Sequence, residues 1–265
     1  MRSLSAVLFD DTFGSFKSRV RAALVHLGLS VTTAVAIAVL VFAFWYPYPY
    51  DRISGGRDLF ILVISVDVVL GPLLTLTVFN IRKPRGELRR DITVIALLQL
   101  AGLLYGLWTV QLARPVHLVF EIDRFRVVHR IEVPGDLADR TPPGIAMAPW
   151  TGPTPLSTRP FRDENERLEL TLAALQGVHL GARPDLWEPY VDGRDRILQA
   201  ARPLTDLRNR FPQYAAEIDK AVQPTGRQPW WLVYLPMVGR GAEAWTVLID
   251  GRTAEIVTFV PLDSF

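Results

Sequence analysis

The chain contains no cysteine. That excludes disulfide bonds, thiolate metal sites and cysteine nucleophiles, and it leaves the compartment open. Histidine is scarce: His26, His117, His129 and His179 fall in separate segments, without metal-ligand spacing. There is no Walker A loop, HExxH or GxSxG. A GxGxxA match at Gly239 to Ala244 precedes Trp245-Thr-Val-Leu-Ile249, a strand pattern. A dinucleotide site needs a helix there, so this stretch reads as a hairpin loop. An excess of one charge is also missing, since 29 basic against 27 acidic residues leave a net charge of +2. That balance gives no argument for a nucleic-acid partner. No repeat of solenoid period is visible. These absences predict no catalytic set, no metal and no cofactor.

What the chain has is apolar length. Hydrophobic residues make up 49% of it. Three runs, Ala22–Tyr46, Leu59–Ile81 and Ile92–Ala113, are each long enough to cross about 30 Å of hydrocarbon as a helix. The first ends in Phe44-Trp-Tyr-Pro-Tyr-Pro-Tyr50, aromatic rings suited to a membrane boundary followed by helix-stopping prolines. Basic residues set the expected orientation. The N-terminal tail carries Arg2, Lys17, Arg19 and Arg21, and the second loop carries Arg82, Lys83, Arg85, Arg89 and Arg90. The first loop has only Arg52 and Arg57. The positive-inside rule places the tail and second loop in the cytoplasm and the C-terminal part outside. The reading is therefore a cytoplasmic tail 1–21, a three-helix transmembrane domain 22–114 and a periplasmic domain 115–265.

Polar and small residues inside the runs need a reason. Asp67 is costly in a span, by about 3 kcal/mol on insertion scales. It lies about 12 Å from the outer helix end, a depth that Tyr105 shares, so the geometry allows a bond from the Tyr105 hydroxyl to Asp67. Asp67, Gly71, Leu74, Thr75 and Val78 share one helix face; Gln99, Gly102, Gly106 and Thr109 share another. Gly102-Leu-Leu-Tyr-Gly106 is a GxxxG, a close-packing pattern in membranes. Pro72, after Gly71, frees the carbonyl of Val68 and predicts a kink beside Asp67. Gluing the helices together and forming an intramembrane ion, substrate or partner site are the two readings of this set. His26, one turn into the first run, reads as a packed or snorkelling histidine.

Beyond Arg114 the pattern changes. Val116–Ile122 and Phe125–Val133 alternate β-branched or aromatic with polar residues and read as strands joined by a turn at Asp123-Arg124. Residues 134–161 are rich in Pro, Gly and Thr and read as a loop, with Trp150 and Met147 as a partner-binding tip or core cover. Asp163-Glu-Asn-Glu166 opens a helix to about Val178, its carboxylates suiting the helix dipole rather than a metal. Helices follow over 192–202 and 203–222, broken near Pro203 and Pro212. Strands Trp230–Leu235, Ala244–Ile249 and Glu255–Val260 close the chain, the last two joined by an Asp250-Gly251 turn. The fold class is α+β: three transmembrane helices, then an extracytoplasmic domain with an antiparallel sheet.

Several of these segments together carry a resemblance. Asp67-Val-Val-Leu-Gly-Pro-Leu-Leu-Thr-Leu-Thr-Val-Phe-Asn80, Lys83, Leu88-Arg-Arg-Asp91, Gln99-Leu-Ala-Gly-Leu-Leu-Tyr-Gly106, Ala113-Arg-Pro-Val116 and Phe120-Glu-Ile-Asp-Arg-Phe125 resemble the TfpX/TfpZ-type type IV pilin accessory proteins. The likeness covers roughly residues 20–130 and continues more loosely to the C-terminus. It implies a multi-pass inner-membrane protein that assists a cognate type IV pilin, major or minor, in a chaperone-like way, beside the bilayer and the pilus assembly machinery. It implies no enzyme. Pilins carry an apolar N-terminal helix in the membrane and a soluble head outside, so the expected partner-binding residues are Asp67, Gly71, Pro72, Gln99, Gly102, Tyr105 and Gly106 in the membrane and Trp150 in the outer loop. Asp123 and Arg124 belong to the same shared motifs. The alternatives are a membrane enzyme or transporter using Asp67, and a membrane-anchored periplasmic sensor module.

Overall fold

A computed structural model describes residues 4–240 and 244–265, with backbone only for 4–15. The apolar helix content and the sheet content separate cleanly, into one unit of residues 1–41 and 57–111 and another of 42–56 and 112–265.

In the first unit α1 runs Leu4–Leu40, so the basic tail is a continuation of the first apolar helix. The second apolar run is broken into α3 (Gly56–Ser65), a π-helical turn over Val66–Leu70 and α4 (Gly71–Val78). Pro72 lies in the first turn of α4, where its missing N–H costs little. A wide π-turn stands directly before it, at the place where the sequence predicts a kink. The third run is α5, Arg85–Ala113. Between α4 and α5, Lys83 bonds Asp91 at 2.6 Å, tying the basic loop to the helix it precedes. Three helical stretches, Phe16–Trp45, Gly56–Val78 and Arg85–Ala113, are long and apolar enough to cross a membrane.

The second unit is a mixed α+β domain. It begins unexpectedly early: a short helix α2 (Tyr50–Ile53) in the first loop puts Ile53 and Tyr50 into the core of the sheet domain. Tyr50 meets Phe259 edge to face at 5.6 Å. Gly239 passes so close to Ile53 that a methyl group there would overlap it. Apolar residues in a loop this short are legible only as boundary aromatics, so the sequence hid this role.

Strand β1 (Pro115–Glu121) is buried along its whole length because it has neighbours on both edges. A turn at Ile122, with φ of 59°, and Asp123 returns the chain as β2 (Arg124–His129). Residues 130–153 then cross the sheet and deliver β3 (Thr154–Thr158) parallel to β1. A parallel connection needs a dozen or more residues, which explains the length of the Pro/Gly-rich stretch. Here the structure differs from the sequence reading of 134–161 as loop throughout: Gly135–Arg140 is a 3-10 helix and 154–158 is a strand. Pro155 masked it, yet it costs no ladder bond to β4 (Trp187–Pro189), whose pairing begins at Leu156.

Asp163 caps α6 (Glu164–Leu175), accepting from the Glu166 N–H, and Glu166 in turn binds Arg159 and the Arg162 N–H. The acidic quartet is thus a helix start; the Arg159 guanidinium beside Glu166 holds its carboxyl down to about 2. Helices α7 (Arg194–Ala200), α8 (Leu204–Arg210) and α9 (Ala215–Val222) pack with β5 (Arg202–Pro203), β6 (Leu232–Val238), β7 (Trp245–Asp250) and β8 (Ile256–Val260). The sheet order among the described residues is β4-β3-β1-β2-β6-β7-β8, with β5 beside β6. Its pairs are antiparallel except β1 with β3 and β2 with β6. β6 and β7 form the hairpin expected around the glycine-rich stretch, whose residues 241–243 lie outside the described ones.

Candidate functional site

The apolar unit gathers five of the sequence-selected residues inward. Asp67, Gly71 and Thr75, four apart, form a buried stripe across the π-turn and α4. Gln99 on α5 donates its Nε2 to the main-chain carbonyl of Asp67 at 3.2 Å. That approach requires glycine at 71, because a methyl there would overlap the Gln99 amide. One turn beyond, Thr75 Oγ1 pairs with His26 Nδ1 of α1 at 2.6 Å, so His26 is a packed histidine bridging two helices. Gly106, buried on α5, closes against Val63 of α3, where a side chain would again overlap. Pro72 sits half-buried in the turn that presents this set.

Gly102 and Tyr105 point the other way. Open space surrounds the place where a Gly102 side chain would stand. Tyr105 is 68% exposed and meets Trp108 at 5.8 Å. Among the described residues no hydrogen bond joins Tyr105 to Asp67, although the two were expected to share a depth. Helical phase explains this: Tyr105 stands one residue before Gly106, whose face is turned to α3. The GxxxG is thus divided, Gly106 serving the chain itself and Gly102 left open.

Trp150 lies in the sheet unit. It is 60% exposed and stacks edge-on against Trp45 at 5.7 Å. Its loop is pinned twice. The Gly152 N–H bonds the Phe44 carbonyl at 2.5 Å, and Arg114 Nη1 donates to the Trp150 carbonyl at 3.2 Å. Arg114 is 1% exposed, with Trp45 beside its guanidinium at 6.0 Å. Burial and neighbouring Arg130 pull its pKa below the usual arginine range. Sequence reading passed over Arg114 as a strand boundary; its place in the Ala113-Arg-Pro-Val motif was the available signal. His117 anchors the same loop, bonding Thr154 Oγ1 at 2.7 Å and the Met147 carbonyl at 3.3 Å.

Among the described residues no three acidic or histidine side chains lie together as a ligand set. Asp123 and Arg124 pair with each other in the β1–β2 turn at 2.8 Å.

A profile for the fimbrial assembly protein FimB matches residues 14–55. A serogroup I fimbrial assembly protein of Dichelobacter nodosus is 33% identical over 91% of this chain and 94% of its own length. The chain belongs to the fimbrial assembly protein family. A serogroup E1 protein of that organism is also 33% identical, over 81% of this chain and 83% of its own. A serogroups C1 and C2 protein is 40% identical over 41% of this chain and 83% of its own length. No solved structure matches.

Proposed function

We propose that this protein is a membrane-embedded assembly factor of type IV fimbriae that holds a pilin, helix and head, before incorporation. End-to-end similarity to a fimbrial assembly protein is the observation that carries this reading. The geometry supports a division of labour. The inward set, Asp67, Gly71, Pro72, Gln99 and Gly106, fixes the second and third apolar stretches against each other, and the His26–Thr75 bond ties in the first. The outward stripe of α5, Gly102 and Tyr105, offers a notch and a hydroxyl to the apolar helix of a pilin, as small and polar residues do between membrane helices. Trp150, exposed on a loop held by Arg114 and His117, is the contact offered to the head. The N-terminus is cytoplasmic and the sheet domain periplasmic, as the basic residues indicate. No catalytic role is part of this reading.

Co-expression with the cognate pilin and recovery from membranes tests it. Gly102→Leu is expected to lower pilin recovery at least about fivefold, equivalent to roughly 1 kcal/mol. The variant should itself remain in the membrane fraction, because among the described residues nothing lies within 4 Å of a side-chain carbon at that position. Unchanged recovery with both Gly102→Leu and Trp150→Ala would remove the proposed contact faces.

A further inference from the structure

A cleft of about 550 Å³ opens between α1, α4 and α5. It is an open groove of ligand size along the apolar unit, with Ile95 buried at its floor and Val25 and Leu29 exposed along its side. Val25, Leu29, Phe79 and Ile95 supply apolar walls. His26 and Thr75, the polar groups deeper in it, bond each other and so leave little for a water to bind. At the other end stand Ser18 and Arg21. Arg21 is exposed and makes no ion pair among the described residues, and Lys17 lies one turn away on the same helix. Nearby, the Arg19 Nε is buried without a hydrogen-bond partner.

We infer that this cleft binds one anionic phospholipid, with an acyl chain against Val25, Leu29 and Ile95 and the phosphate on Arg21. It rests on the membrane placement proposed above. Two features select this occupant. The cleft follows α1 from Ser18 to Leu29, about 16 Å at the helical rise, which is half of an approximately 30 Å hydrocarbon core. That is the depth of one leaflet; a partner helix crossing the whole bilayer would overrun it. Its end is basic, as in pockets between membrane helices that take anionic headgroups on the cytoplasmic side.

The test is native mass spectrometry of the full-length protein after equilibration with vesicles of phosphatidylglycerol, phosphatidylcholine or an equal mixture. The expected result is one retained phosphatidylglycerol per chain. Its preference over phosphatidylcholine should be at least about fivefold, the factor that one near-surface basic residue contributes. Arg21→Gln should erase the preference while an acyl chain still binds. Ala96→Phe, which fills the cleft wall, should abolish retention. Equal retention of both lipids by the unmodified protein, or retention of neither, overturns the inference. So does a pilin crosslink from position 29 in place of lipid. Alkaline extraction of membranes separates the failures: a protein that leaves the membrane contradicts the membrane placement, whereas one that stays without lipid contradicts only the lipid site.

Discussion

At the scale of single residues, glycine positions divide the apolar helices into an inner and an outer side. Gly71→Ala forces the Gln99 amide off the Asp67 carbonyl; the flexible amide can move aside, so the cost is that of one hydrogen bond, about 1 kcal/mol. Thermal unfolding in detergent is expected to show that loss. Gly102→Ala, facing open space, should leave unfolding within about 0.5 kcal/mol of the unmodified protein. Equal effects at the two positions would contradict the assignment of faces. His117 gives the sheet domain an acid-sensitive pin. Burial pushes its pKa down from 6.5 to about 4. The unfolded chain therefore takes up a proton between pH 6.5 and 4 while the folded one does not. Stability is full above pH 6.5 and falls through that window, by about 1.4 kcal/mol per pH unit. In denaturant titrations His117→Gln should be less stable at pH 7 and should lack that part of the pH slope.

At the scale of elements, the π-turn over Val66–Leu70 and the pinned loop carry the account. Pro72 sits where the π-turn hands over to α4, so Pro72→Ala restores a backbone donor and favours an uninterrupted helix. Amide hydrogen exchange over 66–72 is expected to slow by about tenfold, and pilin recovery is expected to fall as the Asp67 carbonyl turns from Gln99. Unchanged exchange would mean that the wide turn does not depend on the proline. In the loop, Arg114 meets the carbonyls of Ala148 and Trp150 and has no carboxylate partner among the described residues. Arg114→Met keeps the apolar bulk and deletes the donors. Limited proteolysis within 141–153 is expected to accelerate about tenfold, an opening cost of roughly 1.4 kcal/mol. Cleavage at the original rate would show that Gly152 and His117 hold the loop by themselves.

At the scale of the whole molecule, what was legible followed from long-period signals. Three apolar runs, the acidic start at Asp163 and the terminal β-rich segments each declare themselves within one contiguous stretch of chain, and each forms the expected helix or strand. Features that depend on distant partners were not legible. Tyr50 and Ile53 look like boundary aromatics and filler until Phe259 and Gly239 are seen beside them. β3 is hidden by Pro155, because only the register shows it set beside Leu118 of β1 and ahead of the β4 pairing that begins at Leu156. The candidate site was half legible. Residue type marked Asp67, Gln99 and the glycines, but helical phase alone could not tell that Gly106 closes against Val63 while Gly102 and Tyr105 face outward. Arg114 and the His26–Thr75 bridge escaped because each joins segments far apart in the chain.

In the proposed function one pilin is held at both an apolar helix face and the outer loop. Photocrosslinking in cells, with the reactive residue at position 102 and separately at position 150, is the decisive measurement. Adducts with the cognate pilin are expected at both positions and none at position 71, which is turned inward onto Gln99. A well-expressed, membrane-resident protein that yields no pilin adduct at either 102 or 150 would contradict it.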